Sequence, residues 1–119
     1  MTTIRIACIA AALLAVCCAG TAPADPVATA SASCSPPRYP GSGYFTSLSV
    51  KRVGCATGRK VTLAHYRCRT RNGRRGRCHR PVLRYRCSET RTTIATEING
   101  RVTCRRGARR VVYTYQQNL

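Results

Sequence analysis

The sequence predicts an α+β fold: a small disulfide-stapled domain with one helix packed on a three- to four-stranded antiparallel sheet. Three observations carry this expectation. Six cysteines remain once an N-terminal leader is set aside, one stretch has helical periodicity, and the C-terminal third alternates apolar and polar residues between turn signals. At 119 residues the chain has room for one small domain, and the leader shortens even that.

The leader reading rests on residues 1–24. Arg5 supplies a basic start, residues 6–19 form an apolar run, and Ala22-Pro23-Ala24 puts small residues before a cleavage point after Ala24. The run is too short to span a bilayer, so no transmembrane segment is expected after processing. A lipid-modified Cys17 would need a small residue before it, and Val16 stands there. Residues 25–43 are rich in Pro, Ser, Ala and Thr and read as a flexible arm, ordered where Cys34 ties it down. Residues 44–119 form the disulfide-rich basic domain.

From Tyr44, Leu48 and Val50 alternate with Ser47, Ser49 and Lys51, as in a half-buried strand. Val53, Thr57, Val61, Ala64 and Cys68 then recur every three or four residues, which predicts a helix over 55–67 with that face inward. Gly58 inside it is unfavourable by about 1 kcal/mol. After Pro81, Leu83, Tyr85 and Cys87 share one face of a predicted strand. Asn99-Gly100 is a strong hairpin-turn signal, and a turn there would oppose Ile98 to Arg101 and Ala95 to Cys104. A second turn at residues 106–108 leads into a strand with Val111, Tyr113 and Tyr115 on one face.

Cleavage removes three of nine cysteines and leaves Cys34, Cys55, Cys68, Cys78, Cys87 and Cys104. An even number on a short exported chain implies disulfides, because so small a core scarcely offsets conformational entropy. No Cys-x-x-Cys remains, and Cys78-His79 has no matching second pair, so neither metal nor cofactor is expected. Cys68–Cys78 is the first expected pair, with Asn72-Gly73 bending a basic hairpin between them. A separate strand over 92–98 would hold Cys87 and Cys104 roughly 10 Å apart, too far to bond. Cys55 would then bond Cys87 or Cys104, and Cys34 the one left over.

Charge is the other strong signal. The chain has 21 Lys and Arg against 3 Asp and Glu, and only Lys51 and Lys60 are lysine. Losing Arg5 with the leader leaves a net +17. Such a protein concentrates near polyanions, and arginine offers a planar fork for phosphate or carboxylate. Residues 67–80, RCRTRNGRRGRCHR, hold seven arginines and no acid. The candidate contact set is Arg69, Arg71, Arg74, Arg75 and Arg77, with Arg105, Arg106, Arg109 and Arg110 around the second turn as a further patch. Six arginines meeting phosphates of duplex DNA would give a log–log salt slope of about −5.

The motifs LSVKRVGC, CATGRKV, YRCRTRNGRRGRC, VLRYRC followed by SETR, and RVTCRRGARRVVYTYQQ together resemble small secreted cysteine-rich proteins of actinobacteria. The resemblance covers residues 44–119. It implies secretion and a one-domain α+β fold, and supplies no catalytic residue.

The function expected is that of a secreted or envelope-associated, monomeric, non-enzymatic binder. Its partner would be a wall polymer, nucleic acid or anionic lipid headgroups. Two alternatives compete. A small ribonuclease-like hydrolase would need a base and an acid, for which His65, His79, Glu89 and Glu97 are the candidates. Each has a simpler reading: His65 as a partly buried helix residue, His79 as part of a charged loop, Glu89 paired with Arg91 and Glu97 with Arg101. An antimicrobial or toxin-like cationic protein would need an apolar wedge beside the charge, and the loop has none.

Overall fold

The computed structural model describes residues 19–20 and 30–119. The leader and the start of the arm therefore lie, Ala19 and Gly20 apart, outside the described residues. The domain is α+β, with one helix lying on a five-stranded antiparallel sheet and three disulfides. In chain order the elements are β1 (Ala32–Cys34), β2 (Gly43–Lys51), α1 (Cys55–Thr70), β3 (Arg86–Thr93), β4 (Glu97–Arg106) and β5 (Arg109–Asn118). The strand order is β1-β2-β5-β4-β3. Packing starts earlier than Tyr44: β1 pairs with β2, and Tyr39 is buried against Phe45 with ring centroids 4.7 Å apart.

Alternation along the strands sorts the sheet into two faces. Phe45, Leu48 and Val50 of β2, Val111, Tyr113 and Tyr115 of β5, and Ile98, Val102 and Cys104 of β4 face the helix and form the core. Among the described residues, no helix covers the other face.

Helix α1 runs three residues beyond the expected end, and its buried stripe is rotated from the expected one. Gly58, Val61, Thr62, His65 and Arg69 are buried, while Ala64 and Cys68 are half-buried. Three of the five inward residues are polar, so hydrophobic periodicity points slightly off the true face. Gly58 is there because the helix touches the sheet at that point: a Cβ would lie 2.5 Å from Val50 Cγ1. Gly54 at the N-cap makes no side-chain capping bond. Disulfides hold both ends instead, Cys34–Cys55 at the start and Cys68–Cys78 in the last turn.

One expected turn and half of one expected strand are overturned. Asn99-Gly100 lies in the middle of β4, where Gly100 pairs with Arg91 and Tyr115 on either side. The glycine makes room for an aromatic ring, since a Cβ on Gly100 would lie 2.3 Å from Tyr115 Cε1. The chain reverses earlier, at residues 94–96, closed by the Ile94 N–H donating to Glu97 O at 3.0 Å. The expected strand from Pro81 is also wrong in its first half. Val82 and Tyr85 exchange two backbone hydrogen bonds of 2.9 and 2.8 Å around Leu83 and Arg84, whose φ values are 49° and 66°. Positive φ at both central residues is the requirement of a type I′ turn. Val82 and Tyr85 are thus buried while Leu83 is exposed. The turn at Gly107-Ala108 falls where expected.

With 92–98 no longer a separate strand, β3 lies directly beside β4 and places Cys87 opposite Cys104. The two are bonded, with Cα atoms 4.0 Å apart, which corrects the expectation that they are too distant. Cys55 consequently bonds Cys34, not Cys87 or Cys104. The Gly100→Ala variant is expected to lose roughly 1 to 3 kcal/mol through overpacking against Tyr115. Urea denaturation measures this; an unchanged midpoint would show that the ring shifts freely.

Candidate polyanion-binding loop and its buried anchor

Cys68–Cys78 is present, as the cysteine spacing suggests, but the segment it closes is not a hairpin. Residues 67–70 are the last turn of α1, and residues 71–80 form an irregular loop folding back over the β3 side of the sheet. Three carbonyls fasten this loop from beneath. Gln117 Nε2 donates to Arg74 O at 2.7 Å, and Arg91 donates to Arg75 O at 3.3 Å and to Gly76 O at 2.7 Å. With the backbone acceptors turned inward, Arg71, Arg74, Arg75, His79 and Arg80 are left exposed.

Beneath the loop sits a buried charged cluster on the helix-facing side of β3. Glu89 and Arg91 are two residues apart on one strand and so share a face. Glu89 accepts the Tyr115 hydroxyl at 2.5 Å, and its carboxylate lies 3.0 Å from Arg91, 3.5 Å from Arg77 and 3.8 Å from Arg69. The expected Glu89–Arg91 pair thus exists within a larger group. Glu97 does not pair with Arg101: its two oxygens accept from Asn99 and Gln116, each at 2.8 Å.

Arg69 is the main correction to the candidate contact set. Its side chain is fully buried, donates to Gln117 Oε1 at 2.8 Å and to Tyr39 Oη at 3.1 Å, and lies 4.1 Å over the Tyr115 ring. It cannot touch an outside partner. Inward-facing arginine is rare without such neighbours, and nothing local in the sequence separates Arg69 from Arg67 or Arg71. The weak clue was that Arg69 falls four residues after His65 on the same helical face.

His65 is fully buried rather than partly so, with Nδ1 2.5 Å from Tyr113 Oη. Burial pushes its pKa down from 6.5 to about 4, against an opposing pull from Glu89. Burial also raises the Tyr113 phenol well above its ordinary value, so the hydroxyl keeps its proton and shares a hydrogen bond with the neutral imidazole. Burial, then the bond to Glu89, holds Tyr115 protonated in the same way. His65 faces no solvent, and the remaining hydrolase candidates sit apart: Glu89 among arginines beneath the loop, His79 on its outside.

Of the candidate arginines, the loop brings Arg71 and Arg77 together with Arg80 and His79 around a concavity of about 270 Å³ beside Cys68. Arg77 reaches both ways, 48% exposed while touching Glu89. The second patch splits. Arg106 and Arg109 are opposite one another on the helix side, Arg105 and Arg110 on the other. That turn lies about 26 Å of strand from Gln117 under the loop, so the two basic regions occupy opposite ends of the domain. Among the described residues, no three His, Cys, Asp or Glu side chains converge as a metal site, and no helix is long and apolar enough to cross a membrane. No known protein family, curated protein or solved structure matches the chain.

Two outcomes check the buried cluster. Glu89→Gln leaves Arg69 and Arg91 buried without a counter-charge and is expected to destabilise by about 3 kcal/mol or more, read by chemical denaturation. His65 contributes through pH. Its folded pKa lies below its unfolded one, so the unfolded chain binds the extra proton between about pH 6.5 and 4. Stability should be full above that window and fall by about 3 kcal/mol as pH drops through it. His65→Asn should lose that part of the slope; the same slope in both proteins would assign it elsewhere.

Proposed function

We propose that this is a secreted or envelope-associated, non-enzymatic protein that binds anionic polymers by charge through the exposed arginines of residues 71–80. The observation that carries the reading is the inside-out anchoring of the loop. Three of its backbone carbonyls accept from Arg91 and Gln117, its end is stapled by Cys68–Cys78, and Arg71, Arg74, Arg75 and Arg80 are exposed while Arg77 is shared between Glu89 and the surface. A pre-ordered set of guanidiniums loses less conformational entropy on meeting phosphates or carboxylates than a mobile one. Three disulfides accord with an oxidising compartment. The contact set is revised to Arg71, Arg74, Arg75 and Arg77, with Arg80 added and Arg69 removed.

The geometry favours a surface binder over a membrane-inserting one. Among the described residues the exposed large apolar side chains are Tyr44, Leu83 and Ile94, on three separate segments and none in the loop. The charge of the loop therefore has no apolar wedge within it.

Titration of the oxidised protein against DNA, heparin and wall teichoic acid at several salt concentrations tests the proposal. The five loop arginines on duplex DNA should give a log–log slope of about −4.5, and the variant Arg71→Ser/Arg74→Ser/Arg75→Ser should flatten it by about 3. Binding that is equally strong in the variant would reduce the loop to a solvated surface. RNA turnover lost on His79→Ala would replace this reading with the hydrolase.

A further inference from the structure

The helix-free face of the sheet carries a feature that the loop does not explain. Arg86 of β3 is directly opposite Arg105 of β4, Arg105 opposite Arg110 of β5, and Arg110 opposite Lys51 of β2. Residues directly opposite one another point to the same face. Four cations thus form one row across four adjacent strands, about 14 Å long at the usual strand spacing of about 4.8 Å. Like charges in directly opposed positions repel. The acids among the described residues are Glu89, on the opposite face, and Glu97, engaged by Asn99 and Gln116. Neither neutralises the row.

Beside the row is a built concavity. Lys51, Arg101 and Arg110 surround a hollow of about 110 Å³, with Ser31 and Ser49 at its side and Val112 on its floor. Arg110 is half-buried there, and its Nε is enclosed without a hydrogen-bond partner. An enclosed guanidinium N–H without an acceptor is unfavourable unless something supplies one. Three cationic side chains, flanking hydroxyl groups and an orphaned donor make up the donor set that a tetrahedral oxyanion requires.

We propose that this face is a phosphate-binding site for an extended phosphate polymer. One phosphate group occupies the Lys51–Arg101–Arg110 hollow, accepting from Arg110 Nε, and the groups that follow along the chain run over Arg105 and Arg86. The row and hollow contain no aromatic side chain on which a base could stack, so recognition is of the phosphate chain itself. This site lies apart from the loop and does not depend on it. Its ligand neutralises a row that is self-repelling when empty.

Tripolyphosphate is the probe, titrated into the mature oxidised protein with inorganic phosphate in parallel. Binding is read by calorimetry and by amide NMR shifts at Ser49, Lys51, Arg101 and Arg110. Tripolyphosphate should shift those amides and raise the thermal midpoint, and inorganic phosphate should bind more weakly. Arg101→Ser/Arg110→Ser should weaken tripolyphosphate binding by about tenfold or more. Arg71→Ser/Arg74→Ser/Arg75→Ser should leave the shifts at the sheet face in place, which separates this site from the loop reading. A second variant guards against a folding artefact: Arg105→Gln should raise the thermal midpoint of the ligand-free protein at low salt and reduce the further gain from tripolyphosphate. The proposal is overturned if the face amides do not move, if the face variant binds as the parent does, or if Arg105→Gln lowers the ligand-free midpoint.

Discussion

Among the described residues, the carboxylate of Glu89 is the buried negative charge against which the helix, the sheet and the basic loop are set. Arg91 reaches it along the strand, Arg69 comes from the helix and Arg77 from the loop, while Tyr115 donates from the central strand. A buried ion pair is seldom a net source of stability relative to apolar packing, yet removing one member leaves the others uncompensated. The consequence here is positional. Arg91 is held by Glu89 and also donates to the carbonyls of Arg75 and Gly76. Three of the loop's carbonyls are thereby satisfied from inside, and apart from Arg77, which reaches Glu89, its arginine side chains are left exposed.

The disulfides complete what this small core leaves weak. Helix α1 lacks a capping side chain and an acid in its first turn, and three of the five residues of its buried stripe are polar. Cys34–Cys55 ties its start to the short edge strand β1, and Cys68–Cys78 ties its last turn to the loop. Cys87–Cys104 joins β3 to β4 beside the apolar centre. Each bridge closes a loop of 10 to 21 residues, where restricting the unfolded chain contributes roughly 3 kcal/mol per bridge. That is comparable with the net stability of a domain this size.

The distribution of cations follows from strand geometry as much as from composition. Near the β4–β5 turn, adjacent arginines alternate between faces, so a cluster that is continuous in sequence becomes two separate pairs in space. Conversely, Arg86, Lys51 and Arg101 are scattered along the chain and meet Arg105 and Arg110 only because β3, β4, β5 and β2 are neighbours. A basic run in sequence and a basic surface are therefore different objects in this protein, and only residues 71–80 are both.

What the sequence by itself determined was the class of molecule: one α+β domain, a helix near 55–67, alternating strands around Leu48 and Tyr113, the turn at Gly107 and the Cys68–Cys78 pair. These follow from short-range rules of periodicity, turn chemistry and loop closure. Tertiary structure decided the rest. Asn99-Gly100 has the composition of a turn, but the Tyr115 ring needed a residue without a Cβ, and that requirement is visible only once β5 lies beside β4. Displacing that turn brought Cys87 opposite Cys104 and left Cys34 for Cys55. Arg69 and His65 look like surface residues because burial of a polar group depends on partners far along the chain: Glu89, Gln117, Tyr39 and Tyr113. Local sequence records what each residue prefers, whereas the partners that override the preference are supplied by long-range pairing alone.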